Sequence, residues 1–318
     1  MSTFPDGLYQ FGGSPVGPAA SVISAGGTWY WVDPANGNDN NSGLKPTEPL
    51  KLLSAAEDKC TSGKHDGVFM IGSATACTET ASITWDKHYT HLIGLVPPTM
   101  FGIRNRVLCS TATVSPVIAI SGNGCVFENV MFTNEGDNSA NLIAATITGA
   151  RNYFGNVTFR VLGASAVTAT GKRDVKLNSS NGENYFYKCT FGADSYDGSA
   201  NAANYQMEFT AAAESARNVF DECLWLGSGS SGAGFFIAGA SATTSINWFK
   251  RCMFFNNQLG SMNAMTQGFS IAGGNGYFVM QDCLAYGAGA LETVDSLLII
   301  KNDVNAAATG LLGLPATG

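Results

Sequence analysis

The chain has 318 residues, of which 38 are Gly, 45% hydrophobic, 11% aromatic and only 13% charged. A charged share of about half the usual ~25% leaves few ionisable side chains for chemistry, and the apolar content excludes a disordered chain. The net charge of −7, with 17 basic residues scattered among 24 acidic ones, excludes nucleic-acid binding, because phosphate contacts need clustered Lys and Arg. The length fits one large core or two modest domains. The surplus Gly and Asn suggest many short strands joined by turns.

Residues 1–28 are Gly, Ser, Pro and Ala with a few aromatics and no periodicity. They read as an extended N-terminal arm, either a plain tail or a segment that orders on a neighbouring subunit with Phe4, Tyr9 and Phe11 as anchors. The first residues lack a positive region followed by an apolar stretch. The expectation is a chain made in a cytoplasm that stays there or leaves inside an assembly. No run approaches 18 apolar residues, so no membrane span is expected.

Residues 29–64 read as a cap: the strand Trp29-Tyr-Trp-Val32, a turn, and a short helix with Leu50, Leu52, Leu53 and Ala56 on one side. Asp33 and Asp39 in the turn are metal candidates through their oxygens. Asx-type turns use the same residues, and that reading is preferred. Gly67–Ile71, 81–84 and His91–Leu95 follow as first-rung strands, with 107–108 and 117–120 next. His65, His88 and His91 match no catalytic motif and read as turn or surface residues.

From residue 125 a repeat takes over. Cys125-Val-Phe-Glu-Asn-Val-Met-Phe132, Asn152-Tyr-Phe-Gly-Asn-Val-Thr-Phe159, Asn184-Tyr-Phe-Tyr-Lys-Cys-Thr-Phe191, Asn218-Val-Phe-Asp-Glu-Cys-Leu-Trp225, Asn247-Trp-Phe-Lys-Arg-Cys-Met-Phe254 and Phe278-Val-Met-Gln-Asp-Cys-Leu-Ala285 align as N-x-F-x-x-[C/V]-x-F. Their central residues Val130, Val157, Cys189, Cys223, Cys252 and Cys283 recur at spacings of 27, 32, 34, 29 and 31. Such a period signals a solenoid. A further short apolar run, at 117–120, 144–147, 175–177, 205–209, 235–237 and 269–271, precedes each copy and is too short for a helix. Stacking these units predicts an all-β parallel β-helix over 65–304, with rungs about 4.8 Å apart.

Stacked rungs turn the Phe and Cys/Val positions into interior columns. The thiols then pack as small hydrophobes, since Cβ atoms about 4.8 Å apart lie outside disulfide reach. Phe and Cys are three residues apart, so the chain must bend between them, at Asn129, Asn156, Lys188, Glu222, Arg251 and Asp282. The last four alternate in sign down the stack, with Asp221 beside Lys250 one column out. They read as an exposed charge ladder, each pair worth about 0–1 kcal/mol.

Residues 29–57, with their V-D strand end, G-x-D turn, S-G, Pro-rich link and short helix, resemble the opening of right-handed parallel β-helix proteins of the pectate-lyase-like and phage-tailspike-like superfamily. The rung pattern over roughly 65–300 is similar to theirs too. The resemblance implies a right-handed β-helix and permits several functions. Residues 305–318 form an apolar tail of low complexity.

The preferred functional reading is a non-enzymatic bacteriophage virion protein, a capsid decoration or short spike located in the virion. Its partners would be copies of itself, a trimer by the resemblance, and the capsid; no cofactor is expected. The alternative is a polysaccharide lyase or glycosidase, whose acids and bases would be Asp194, Asp197, Asp221, Glu222, Lys250 and Arg251. A third reading is an adhesin for host surface polysaccharide using Tyr187, Tyr196 or Trp248.

Overall fold

The computed structural model describes residues 10–11, 14–15, 22–23, 25–136, 142–162, 171–178, 182–193, 204–210, 217–227, 235–239, 246–256, 265–271, 277–291 and 298–301. They form a right-handed parallel β-helix in which each turn visits three sheets in the same order. The first sheet has ten strands, from Trp29–Val32 to Leu298–Lys301. The second has eight, from Cys77–Thr78 to Leu284–Tyr286, and the third seven, from Ile83–Trp85 to Phe269–Ile271. Strand pairing follows the repeat alignment: Phe127, Phe154, Phe186, Phe220, Phe249 and Met280 are successive partners.

Inside, those five rings stack at centroid separations of 5.1, 4.6, 4.7 and 4.8 Å with planes within 10° of parallel. A second column of Phe132, Phe159, Phe191, Trp225 and Phe254 runs beside it, at 4.5 to 5.9 Å. Val130, Val157 and the four thiols lie between, all free and buried as expected. Each thiol donates to a phenylalanine carbonyl one rung back, Cys189 to Phe154 at 3.3 Å and Cys223 to Phe186 at 3.4 Å. Burial pushes the Cys223 thiol well above its ordinary range, so it stays protonated and inert.

The repeat's leading Asn forms a ladder. Asn152, Asn184, Asn218 and Asn247 are buried, and their Oδ1 atoms accept from the backbone N–H of Cys125, Asn152, Asn184 and Asn218 at 2.8, 3.0, 3.0 and 3.3 Å. These corner N–H groups would otherwise be buried without acceptors, at roughly 1–3 kcal/mol each. Phe278 takes the next position, and the Asn column ends at Asn247. Asn218→Leu strands the Asn184 N–H and also removes an Nδ2 donor that reaches Asn247 at 2.9 Å. A stability loss of about 2 kcal/mol is expected, read as a lower urea midpoint.

The short cap helix is present but begins later than expected: Leu50 is extended and bridges Val32, and Leu52 precedes the first helical residue. The helix Leu53–Lys59 buries Leu53, Ala56 and Glu57 over the first turn, and Glu79, just after the strand Cys77–Thr78, accepts from Ser54 N and Oγ at 3.1 and 2.8 Å. Among the described residues no helix is long and apolar enough to cross a membrane. Phe11 lies in the short strand Gln10–Phe11, paired antiparallel with Ser14–Pro15. Phe4, Tyr9 and the tail 305–318 lie outside the described residues.

Candidate functional site

The corner between the first and second sheets gathers the charged residues singled out by sequence. Each chain passage must turn within one residue to send both Phe and Cys inward, and the left-handed backbone does this. Asn129, Asn156, Lys188, Glu222, Arg251 and Asp282 all adopt it, with φ between 49° and 56°. Their side chains form an outward column in which Asn156 donates to Asn129 at 2.9 Å. Lys188 lies 3.6 Å from Glu222, and Arg251 reaches Glu222 at 3.5 Å and Asp221 at 2.5 Å.

Asp221 departs from expectation. It neighbours Lys250 in strand register, yet its carboxylate is buried and takes a hydrogen bond from the Tyr185 hydroxyl at 2.9 Å besides the Arg251 ion pair. The Lys250 ammonium instead sits 4.1 Å over the ring of Trp248. That ring is two residues back on the same strand face, within reach of the flexible lysine stem. Burial, with Asp221 adding to it, pushes the Tyr185 hydroxyl up to about 12.

This cluster is closed on itself. A glycosidase needs two carboxylates about 5–9.5 Å apart across a sugar bond, whereas Asp221 and Glu222 are sequence neighbours gripped by one guanidinium. A lyase needs a base of lowered basicity, and the two cations ion-paired to these acids, Arg251 and Lys188, move the other way. Asp221 raises Arg251, while the Tyr187 hydrogen bond and then Glu222 raise Lys188. Asp194, Asp197 and Tyr196 lie outside the described residues. Glu222→Gly is expected to leave thermal stability unchanged or slightly raised, because relief of the left-handed strain, about 1 kcal/mol, offsets two exposed ion pairs. Glu222→Val, β-branched at that φ, should lose about 2 kcal/mol; melting curves of the two variants make the comparison.

Several features of this face were not read from the sequence. A second left-handed corner precedes the first-sheet strands, where Glu183 pairs with Arg151 at 2.7 Å and Arg217 at 3.2 Å. The plus, minus, plus order at these positions was the available signal. Glu128 shares the outward column of Asp221, half-buried with Oε2 lacking a partner, and burial pushes its carboxyl up. Three rungs separate it from Asp221, roughly 14 Å at the ladder spacing, too far for a catalytic pair. On the same face Tyr153 and Tyr185 stack at 6.0 Å, Tyr187 is half-buried and Trp248 is 38% exposed.

The cap acids act as turn acceptors. Asp33 accepts from Ala35 N at 2.9 Å and from Asn36 N and Nδ2 at 3.2 and 3.0 Å; Asp39 Oδ1 accepts from Lys51 N and Leu52 N at 2.8 and 3.0 Å. The histidines need one correction. His65 occupies a left-handed turn and His88 is exposed, but His91 is fully buried on the outer face of the first sheet, beside Trp29 and the His65 turn. Segments distant in sequence cover it.

Solved structures share this architecture. The pectate lyase Pel9A superposes with a TM-score of 0.63 at 17% identity, over 89% of this chain and 72% of that one. The chain has the pectate-lyase-like fold. A rhamnogalacturonan lyase matches with a TM-score of 0.55 at 15% identity, over 82% of this chain and 68% of that one. The ORF18 protein of Geobacillus virus E2 matches with a TM-score of 0.55 at 12% identity, over 85% of this chain but only 52% of that one. No family model and no curated protein matches the sequence.

Proposed function

We propose that this chain is a non-enzymatic structural protein of a bacteriophage particle, a β-helix rod serving as capsid decoration or short spike. The observation that carries this reading is the pairing of charges between rungs at both left-handed corners, through Lys188, Glu222, Arg251 and Asp221 at one and Arg151, Glu183 and Arg217 at the other. It gives the acids of the candidate cluster a structural role. The likeness to a viral open reading frame agrees with it at the level of fold. Assembly would be as a homo-oligomer, a trimer, attached to the capsid through the terminal arms.

A second reading, polysaccharide binding without turnover, has support in the outer face of the first sheet. There Trp248 under Lys250, Tyr187 and the Tyr185–Asp221 pair offer rings and polar groups to a sugar. Two of the similar folds bear the names of polysaccharide lyases.

Mass spectrometry of purified particles is expected to find the chain at stoichiometric amounts, and incubation with host polysaccharide to release neither reducing ends nor unsaturated products. Turnover that disappears in Asp221→Asn or Glu222→Gln would overturn the structural reading. Affinity without turnover, lost in Trp248→Ala, would favour the second.

A further inference from the structure

In the first sheet, at the register position of His91, the backbone N–H donates to a carbonyl one rung back. His91 donates to Asp66 at 3.0 Å, and Tyr153, Tyr185, Val219 and Trp248 donate to Cys125, Asn152, Asn184 and Asn218, each at 2.9 Å. Val126 is different. Its N–H donates to Nδ1 of the His91 imidazole at 3.2 Å. One rung-to-rung link of the sheet is thus made through a titratable side chain.

The tautomers follow from the donors. Nδ1 of His91 accepts from Val126, so the ring proton is on Nε2, which faces Nδ1 of His65 at 3.2 Å. The two rings are 5.4 Å apart and within 17° of parallel. His65 therefore accepts at Nδ1 and carries its own proton on Nε2. Both inward nitrogens are occupied. Another proton enters this pair only by displacing the Val126 N–H from His91 or the His91 N–H from His65.

Among the described residues, no carboxylate is hydrogen-bonded to or ion-paired with either ring. Asp66, the nearest acid in sequence, accepts from Thr28 N at 2.7 Å and Thr61 N at 2.8 Å. Tyr89 packs on His65 and Trp29 on His91. Cys60, on the cap side, is pushed up to about 12 by burial, and Cys125, on the following rung, is raised by burial too, so both stay neutral. Lys87 is paired with Glu57 at 2.9 Å.

We propose that the His65–His91 pair is a proton-operated seam that closes the first-sheet ladder between the strands His91–Leu95 and Val126–Glu128 near neutral pH and loosens it in acid. Burial, with His65 adding to it, lowers His91 to about 4 from 6.5, so opening is coupled to proton uptake between those values. The direction follows from linkage: the open state binds the extra proton, and its population rises about tenfold for each pH unit lost in that window. The seam is independent of the proposed role in a phage particle.

Amide hydrogen exchange on the full chain tests it, after correction for the intrinsic pH dependence of exchange. From pH 6.5 to 4.5 the Val126 amide is expected to lose protection by about 40-fold, while the Trp248 amide, bonded to the carbonyl of Asn218, keeps its protection. His91→Asn places a non-titrating oxygen at the position of Nδ1, and its Val126 amide should show no acid response. Equal acceleration at Val126 and Trp248, an unchanged Val126 in the native chain, or an equal acid response in His91→Asn would overturn the proposal.

Discussion

Phe220→Ala is expected to lower the unfolding free energy by about 4 kcal/mol, at the upper part of the range for removing a buried aromatic. Phe220 is covered by other rings on both faces and along its edges. It stacks on Phe186 at 4.7 Å and Phe249 at 4.8 Å, and meets Trp225, Phe191 and Phe209 edge-on at 5.5, 6.2 and 6.2 Å. Truncation leaves a void bounded by rings fixed on three rungs, which cannot collapse because the sheet ladders hold their backbones apart. In a solenoid each rung is stabilised mainly by its neighbours, so the loss falls on both interfaces of this rung. Phe127→Ala gives the contrast. That ring meets only Trp85 and Phe154 among the described aromatic contacts, and its loss should be smaller by about 1 kcal/mol or more. Urea unfolding of the two variants, with slopes compared as well as midpoints, checks the order.

This core was legible in the sequence because a stacked repeat copies one local solution many times. The three-residue step from Phe to Cys forced a left-handed residue between them, and all six predicted positions have it, even where the side chain is Lys, Glu, Arg or Asp. The runs at 117–120, 144–147 and 205–209 became third-sheet strands for the same reason. The Asn ladder was visible as a letter of the repeat but not as a function, since hydrogen bonding between rungs appears only once the rungs are stacked. The second corner was hidden by variable spacing in the segments before it. Asp174 and His91 were out of reach for a different reason. Each owes its burial to segments far away in sequence, and no local pattern announces a charge-bearing residue at 0% exposure.

Asp174→Asn is expected to remove a pH dependence of about 4 kcal/mol from the stability of the chain. The Asp174 side chain lies inside the corner between the second and third sheets, with Oδ1 accepting from Val161 N at 2.8 Å and Oδ2 buried without a partner. Burial raises its carboxyl to about 7 from 3.8, against the pull of Lys172, the Val161 hydrogen bond and Arg160. The folded state therefore holds a proton that the unfolded chain releases between those values. This contribution is fully present below pH 3.8 and is lost as pH rises through 7, at about 1.4 kcal/mol per unit. Asparagine keeps the acceptor for Val161 and cannot ionise, although its Nδ2 takes the place of the unpartnered oxygen at roughly 1–3 kcal/mol. The variant should thus be the more stable protein at pH 8 and the less stable at pH 4. His91 acts with the opposite sign. Its lowered value gives stability that is present above pH 6.5 and lost as pH falls through 4, about 3 kcal/mol in all. Over the shared window the two slopes nearly cancel, and the native chain should show a flat stability profile that conceals both groups. Asp174→Asn should then expose a chain that weakens in acid, and His91→Asn one that weakens toward neutral pH. Denaturation midpoints from pH 4 to 8 for the two variants should diverge in opposite directions from the native curve; parallel curves would show that neither buried group titrates as its surroundings require.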